Sequence, residues 1–409
     1  NKMTAIETGI DLRKDESFQD SLSWKTDSDD FIGFMNYRSE SRSGWKQDII
    51  FKKRVKSFED NSTTTDYSLA KVLLGFERDH KPIRWELQAK TEESFLEKRA
   101  IVYDSVGVGL GQYRYDPIFN TYISDPNGAF ISYTIPTGKR DPNTVIEGSQ
   151  KFTIDLGKIS GFPNIMIRGN NRLDYRGSGI EIKKIVQPNI TDSLSTLSRL
   201  NSRLEMIYHG KNRFRSWIDN QQALNGLDPR GNDVDQSNEF GLEINQTLSP
   251  LITIKNSGQF RKKYVESTVS DLRNRDVKGW WNEIQLQVKL SESMDFDLGL
   301  MGGFDSGKQQ GKSFSSQAYG LLLNGRFFFK KTGRFQSQIS WVNAAEKNKL
   351  PYLPPEALNG YPVGTSFRSN TRLQYFLNRS VSMIFTLNTI DDSRYDNFIT
   401  FRGEIRAHF

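Results

Sequence analysis

Cysteine is absent from these 409 residues, which removes a disulfide framework, thiolate zinc sites and a cysteine nucleophile. Histidine is nearly absent: His80, His209 and His408 are the three, each isolated among strand or turn residues, so no pair stands at metal-ligand or acid-base spacing. No stretch approaches the ~18 consecutive apolar residues of a membrane helix, and the mean hydropathy is −0.62. A helical membrane protein is excluded. A transmembrane β-barrel escapes that test, because lumenal polar residues dilute its lipid-facing ones one to one. The 56 basic and 49 acidic residues are spread along the chain without a clustered basic stripe, so nucleic-acid binding is not indicated. No Gly-x-Ser-x-Gly elbow and no phosphate-binding Gly-Lys-Ser/Thr loop occurs. A charged leader with an apolar core is also missing, and Ile6, Thr8, Ile10 and Leu12 already form a strand face. The expectation is the C-terminal part of a longer protein.

What is present is alternation. In the last eleven residues one face reads Ile399, Phe401, Gly403, Ile405, Ala407, Phe409 and the other Thr400, Arg402, Glu404, Arg406, His408. One face suits lipid and the other water, and the chain ends on an aromatic, as in the closing strand of an outer-membrane barrel. An amphipathic edge strand of a soluble sandwich is the plainer alternative. The same period runs through Trp280 to Leu290, where Ile284, Leu286, Val288 and Leu290 oppose Glu283, Gln285, Gln287 and Lys289. It continues through Met294 to Phe304, Tyr319 to Phe329, Phe335 to Trp341, Phe367 to Leu377, Val381 to Thr389 and Phe398 to Phe409. Short turns such as 291–293 alternate with longer connections, expected at Asp305 to Lys312 and Asn343 to Thr365, an asymmetry typical of membrane barrels. Phe240 to Leu248 and Leu251 to Tyr264 make a further hairpin, as do Leu200 to Tyr208 and Phe214 to Ile218. Leu194, Leu197 and Leu200 recur at helical spacing, so a short helix could begin at Asp192.

The first hundred residues alternate too (Phe18 to Trp24, Ile32 to Tyr37, Trp45 to Phe51, Leu69 to Phe76, Ile83 to Ala89), but Lys52-Lys53-Arg54 and Glu92-Glu93 would be costly against lipid. The expected division is a charged antiparallel β-region at 1–100 outside the hydrocarbon layer, a Gly/Pro-punctuated β-module at 101–150, and a barrel or barrel part at 151–409. In the middle module Gly107, Gly109 and Gly111 alternate with larger residues. No helix follows to hold a pyrophosphate, so they read as strand glycines where another backbone comes close. Asp125-Pro126-Asn127-Gly128 reads as a β-turn. Asp104, Asp116, Asp125 and Asn127 are calcium-type ligands, but their spacing fits no EF-hand and turn roles are favoured.

The Gly-x-Gly-x-Gly-x-Tyr-x-Tyr-Asp run at 107–116, the Tyr-x-x-Asp-Pro-Asn-Gly turn at 122–128 and the terminal Arg-x-Glu-x-Arg-Ala-x-Phe strand together resemble large envelope proteins of Bacteroidota- and Ignavibacteria-like bacteria. The likeness implies an envelope location and carries no activity. The terminal strand also resembles the signal read by the barrel-assembly machinery, with Phe401, Ile405, Ala407 and Phe409 as the matching residues.

Trp280, Trp281, Tyr319 and Trp341 sit near strand ends and are candidates for an aromatic girdle at the membrane interface. Asp295 and Asp297 share a strand face and read as lumenal charges. The reading is therefore an all-β antiparallel meander, a transmembrane β-barrel with an extramembrane β-region, in the outer membrane of a Gram-negative bacterium. Its partners are outer-membrane lipid and the assembly machinery; no cofactor, metal, catalytic residue or small-molecule substrate is identified. The rival is a soluble secreted or periplasmic all-β protein that binds polysaccharide or a protein partner. A third reading is a hydrolase using Asp295 and Asp297.

Overall fold

The computed structural model describes residues 3–19, 23–58, 65–178, 195–329, 332–348, 350, 352–378 and 380–407. Two-residue alternation dominates the sequence, and strands dominate the fold: β1 (Met3–Gln19), β2 (Ser23–Glu40), β3 (Trp45–Phe58), β4 (Thr65–Phe76), β5 (Ile83–Ser105), β6 (Gly111–Asp116), β7 (Thr121–Gly128), β8 (Phe130–Asp155), β9 (Ile165–Gly177), β10 (Ser195–His209), β11 (Arg213–Asn225), β12 (Asp233–Ser249), β13 (Ile252–Ser267), β14 (Arg275–Ser291), β15 (Met294–Gln309), β16 (Lys312–Phe328), β17 (Gly333–Glu346), β18 (Gly364–Phe376), β19 (Val381–Asp392) and β20 (Tyr395–Ala407). All belong to one antiparallel sheet. Each strand pairs with the next, except that β5 pairs with β8 and the β6–β7 hairpin is inserted between them.

The register sorts side chains into two faces, since directly opposite residues point the same way. On one face Leu204, Ile218, Phe240, Phe260, Trp280 and Phe304 stand opposite one another from β10 to β15. They are 36–55% exposed. A second row runs Tyr208, Phe214, Ile244, Asn256, Ile284, Leu300, Leu321, Trp341, Phe367 from β10 to β18. Along β14 the apolar face extends from Trp280 to Leu290, a rise of about 33 Å. At a ~45° tilt that spans about 23 Å, close to the ~25 Å apolar band of an outer-membrane barrel. The opposite face carries the charges and amides, including a ladder of Asp297, Asn324, Gln338, Asn370 and Asn388 across five strands.

Several expectations change. The first hundred residues form no separate sheet: β1 to β5 continue the same ladder. Lys52, Arg54 and Glu92 fall on the polar face with Asp30, where Arg54 pairs with Asp30. The boundaries at 100 and 150 cut through β5 and β8. Of the stretch 18–24, Phe18 and Gln19 end β1 and Ser23 and Trp24 open β2, with Phe18 opposite Trp24; 20–22 lie outside the described residues. The helix start at Asp192 lies outside the described residues as far as 194. From Ser195 onward the chain is β10, because β9 and β11 offer a full backbone ladder on both sides. Asp305 to Lys312 is a loop only at Gln310-Gly311, whose φ values of 51° and 77° make the two-residue turn that suits a twisted hairpin.

Beyond Glu92 and Thr144, β5 and β8 lose their outer neighbours and pair only with each other. This ribbon runs on for about 40 Å by strand rise. It is capped by β6 and β7, through a stack of Tyr103 on Tyr122 with ring centroids 3.9 Å apart. Gly107 and Gly109 have positive φ and form a turn, unlike the strand glycines expected; the Gly109 N–H donates to the Asn127 and Gly128 carbonyls at 3.1 and 3.0 Å, and a Cβ at Gly111 would strike the Phe130 backbone. The expected turn at Asp125 to Gly128 lies inside β7, with Asp125 Oδ1 accepting from the Asn127 N–H at 3.0 Å.

Candidate functional site

The connection after β17 is one of the long ones expected from sequence. Its described residues 350 and 352–363 fold onto the polar face of the sheet, because their side chains require burial. Leu350 and Leu353 pack against Val277, Phe314 and Ala357, while Leu358 joins Trp281, Met301, Ala318, Leu322 and Val342. Ala357 and Leu358 are fully buried; a buried leucine alone contributes about 1.5–3 kcal/mol. Pro354-Pro355 lead into a tight turn in which Leu358 and Asn359 take φ of 49° and 54°. That conformation is costly for leucine, about 1–3 kcal/mol, and persists only where surroundings over-determine it.

Ionic contacts supply that determination. Asp305 on β15, 0% exposed, accepts from Arg261 Nη2 at 2.7 Å and from the Leu358 N–H. Gly279 opposite it is necessarily glycine, since a Cβ there would strike the Asp305 carboxylate. Glu356 takes a two-pronged bond from Arg275, at 2.9 and 2.8 Å. Arg368 and Arg394 each donate to the Gly360 carbonyl at 3.0 Å. The Tyr361 ring stacks on Trp281 at 6.0 Å, and the Arg368 guanidinium lies 4.2 Å from the Tyr361 ring centroid. Trp281 in turn lies on Gly303, where a Cβ would come within 2.5 Å of the indole.

Consecutive residues Asn359 and Gly360 are thus gripped by Arg261 from β13 and Arg394 from the β19–β20 turn. Across a flat sheet those strands lie roughly 29 Å apart, farther than two arginines reach. The sheet therefore curls around the loop, and the polar face is concave.

Burial works against the charged form of Glu356, but the bond from Arg275, a backbone N–H and the charges of Arg275 and Lys263 outweigh it and hold the carboxyl below its usual range. A depressed folded value means the latch contributes fully above the ordinary value of 4.5 and is lost as pH falls through the lower folded value. Amide exchange across 352–361 is expected to stay flat from neutral pH to about 5 and to accelerate below about 4, after correction for intrinsic rates. In Glu356→Gln it should be faster already at pH 7, with a smaller acid step. Equal protection in both proteins at every pH would refute the latch.

Of the residues singled out in sequence, Trp280, Tyr319 and Trp341 stand on the apolar face, as do Phe401, Ile405 and Ala407. Phe409 and His408 lie outside the described residues. Trp281 is corrected: it faces the concave side, 5% exposed, as the period-two pleat demands of the neighbour of Trp280. Asp295 and Asp297 share the concave face, Asp295 lying 3.6 Å from Arg326 and Asp297 heading the amide ladder. The calcium candidates are engaged separately. Asp104 accepts from Tyr133 Oη at 2.7 Å, and Asp116 caps the Ile118 N–H at 2.9 Å. Among the described residues no group of three or more His, Cys, Asp or Glu side chains could hold a metal. His80 lies in the β4–β5 turn and His209 at the end of β10, at the same end of the sheet but three strands apart.

Sequence reasoning missed Arg261, Arg275, Asp305, Glu356, Arg368 and Arg394. The available signal was the loop's own composition, because a solvated connection does not carry Leu350, Leu353, Ala357, Leu358 and Tyr361 together.

No known family and no curated protein matches this chain. Among solved structures it is similar to the ferric yersiniabactin uptake receptor FyuA from Yersinia pestis: 9% identity, TM-score 0.39, covering 92% of this chain and 70% of that one. It is also similar to the closed form of the ferric-catecholate import receptor Fiu from E. coli: 10% identity, TM-score 0.38, covering 98% and 75%. Likenesses this distant carry no argument about what the chain does. Nothing in them bears on the resemblance to Bacteroidota- and Ignavibacteria-like envelope proteins.

Proposed function

We propose that this chain is a non-enzymatic bacterial outer-membrane β-barrel protein, through which polar solutes pass along a concave wall partly filled by the loop 347–363. One observation carries the reading: the apolar rows from Leu204 to Phe304 and from Tyr208 to Phe367, the second interrupted at Asn256, exposed on a sheet whose other face holds the ladder of Asp297, Asn324, Gln338, Asn370 and Asn388. A soluble sandwich would bury such a face against a second sheet. Among the described residues every strand belongs to one sheet, so nothing of that kind covers it. Lipid would solvate the face, and Trp280, Tyr319 and Trp341 would sit toward the headgroups. Insertion requires the outer edges of β1 and β20 to be paired, because unpaired backbone groups are not tolerated in hydrocarbon. On this reading Phe401, Ile405, Ala407 and Phe409 present the terminal strand to the barrel-assembly machinery.

The test is expression behind a signal sequence in a Gram-negative host, followed by membrane fractionation and gel mobility with and without boiling. Recovery in the outer membrane with a heat-dependent mobility shift is the expected result. A folded monomer in the soluble fraction would overturn the reading and turn the apolar face into a surface for polysaccharide or protein.

A further inference from the structure

The concave wall away from the loop carries its own charge pattern. Residues Lys71, Lys90, Glu147, Asp174, Arg199, Ala223, Asp235, Val265 and Arg275 stand opposite one another from β4 to β14. Arg275 holds the loop through Glu356, so Lys71 and Lys90 face the same concave side. Between β4 and β9 the wall forms a recess of about 700 Å³ whose cations are Lys71, Lys90, Lys151 and Arg172 and whose carboxylates are Glu147 and Asp174.

The cations are not equally satisfied. Lys90 Nζ lies 2.5 Å from Glu92 Oε2, and Arg172 Nε lies 3.1 Å from Asp174 Oδ2. Lys71 and Lys151 have no ion pair among the described residues. Lys71 stands directly opposite another cation, Lys90, an arrangement that destabilises a ladder unless something neutralises it. Lys151 stands opposite Glu86 without forming an ion pair with it; that carboxylate accepts from Gln88 Nε2 at 2.7 Å. Gln88, Ser149 and Asn170 line the floor between them with further donors. Ammonium groups without ion pairs that face one recess attract counter-ions.

We infer that this recess binds an oxyanion of the phosphate or carboxylate class, with Lys71 and Lys151, which make no ion pair among the described residues, supplying the charge and Gln88, Ser149 and Asn170 the hydrogen bonds. The inference deepens the proposed function by naming a solute class, and rests on it only in requiring that water reach the concave wall.

The full-length chain, folded in detergent, would be titrated with inorganic phosphate and separately with succinate at constant ionic strength, by calorimetry. Wild type and a Lys308→Gln control should bind at least one of them saturably, and Lys71→Gln/Lys151→Gln should bind it at least tenfold more weakly with an unchanged circular dichroism spectrum. The anion that saturates identifies the class. Equal affinity in the double variant, or no saturable binding of either anion by folded wild type, would overturn the inference. Failure of the membrane reading is seen separately in fractionation, since a soluble protein with this recess would still bind.

Discussion

Leu298→Arg is expected to lose about 2–4 kcal/mol of stability in lipid vesicles, the cost of a cation on the lipid face near mid-bilayer. Leu298 is 56% exposed and is flanked in register by Leu286 and Leu323, so it sits within the apolar band and away from either rim. In water the same substitution at so exposed a position would change stability by no more than about 0.5 kcal/mol. Gln287→Arg, pointing to the concave side opposite Asp297, is the matched control and should cost little. The measurement is the urea midpoint of the heat-modifiable form for all three proteins. A Leu298→Arg midpoint equal to wild type would mean that the apolar face does not meet hydrocarbon.

Asp305→Ala is expected to release the loop. It removes the acceptor of both Arg261 and the Leu358 N–H, leaving a guanidinium only 16% exposed without its charge partner. Breaking a buried pair from one side typically costs about 3–5 kcal/mol. That exceeds what burial of Leu358 contributes, while the strained turn at Leu358 and Asn359 loses its anchor. Amide exchange at 352–361 should rise by at least a hundredfold, and under the proposed function single-molecule conductance in planar bilayers should rise with it. The double variant Asp305→Ala/Arg261→Met should recover part of the protection, because the uncompensated charge is gone. Undiminished protection in Asp305→Ala would show that apolar contacts alone hold the loop.

The strands are legible in the sequence because a two-residue period survives any tertiary context that wets one face and not the other. Trp280 to Leu290 and Phe398 to Ala407 are readable residue by residue for that reason. Trp281 is misplaced when the same logic is applied loosely: adjacent tryptophans cannot both line a girdle when the pleat alternates. The charged runs at 52–54 and 92–93 look hostile to membrane strands, yet alternation sends Lys52 and Arg54 to the concave side with Asp30 and leaves only Lys53 of the first run on the other face, paired with Asp66. The loop site is opaque because its partners are distant in sequence. Arg261 and Asp305 are separated by 44 residues, and Arg275 and Glu356 by 81. Only the register of the intervening strands brings them to one level of the wall.

That register runs from β8 to β20 without changing which parity of residue faces outward on any strand interior, and this constrains how the chain can change length. Adding or removing one residue within a strand exchanges its oily and wet sides from that point to the next turn. Adding or removing two restores them at the cost of a shifted rung. Tolerated length variation among descendants of this chain should therefore come in pairs inside the strands, while single-residue changes gather in turns such as 210–212 and 250–251, where no face has to be kept.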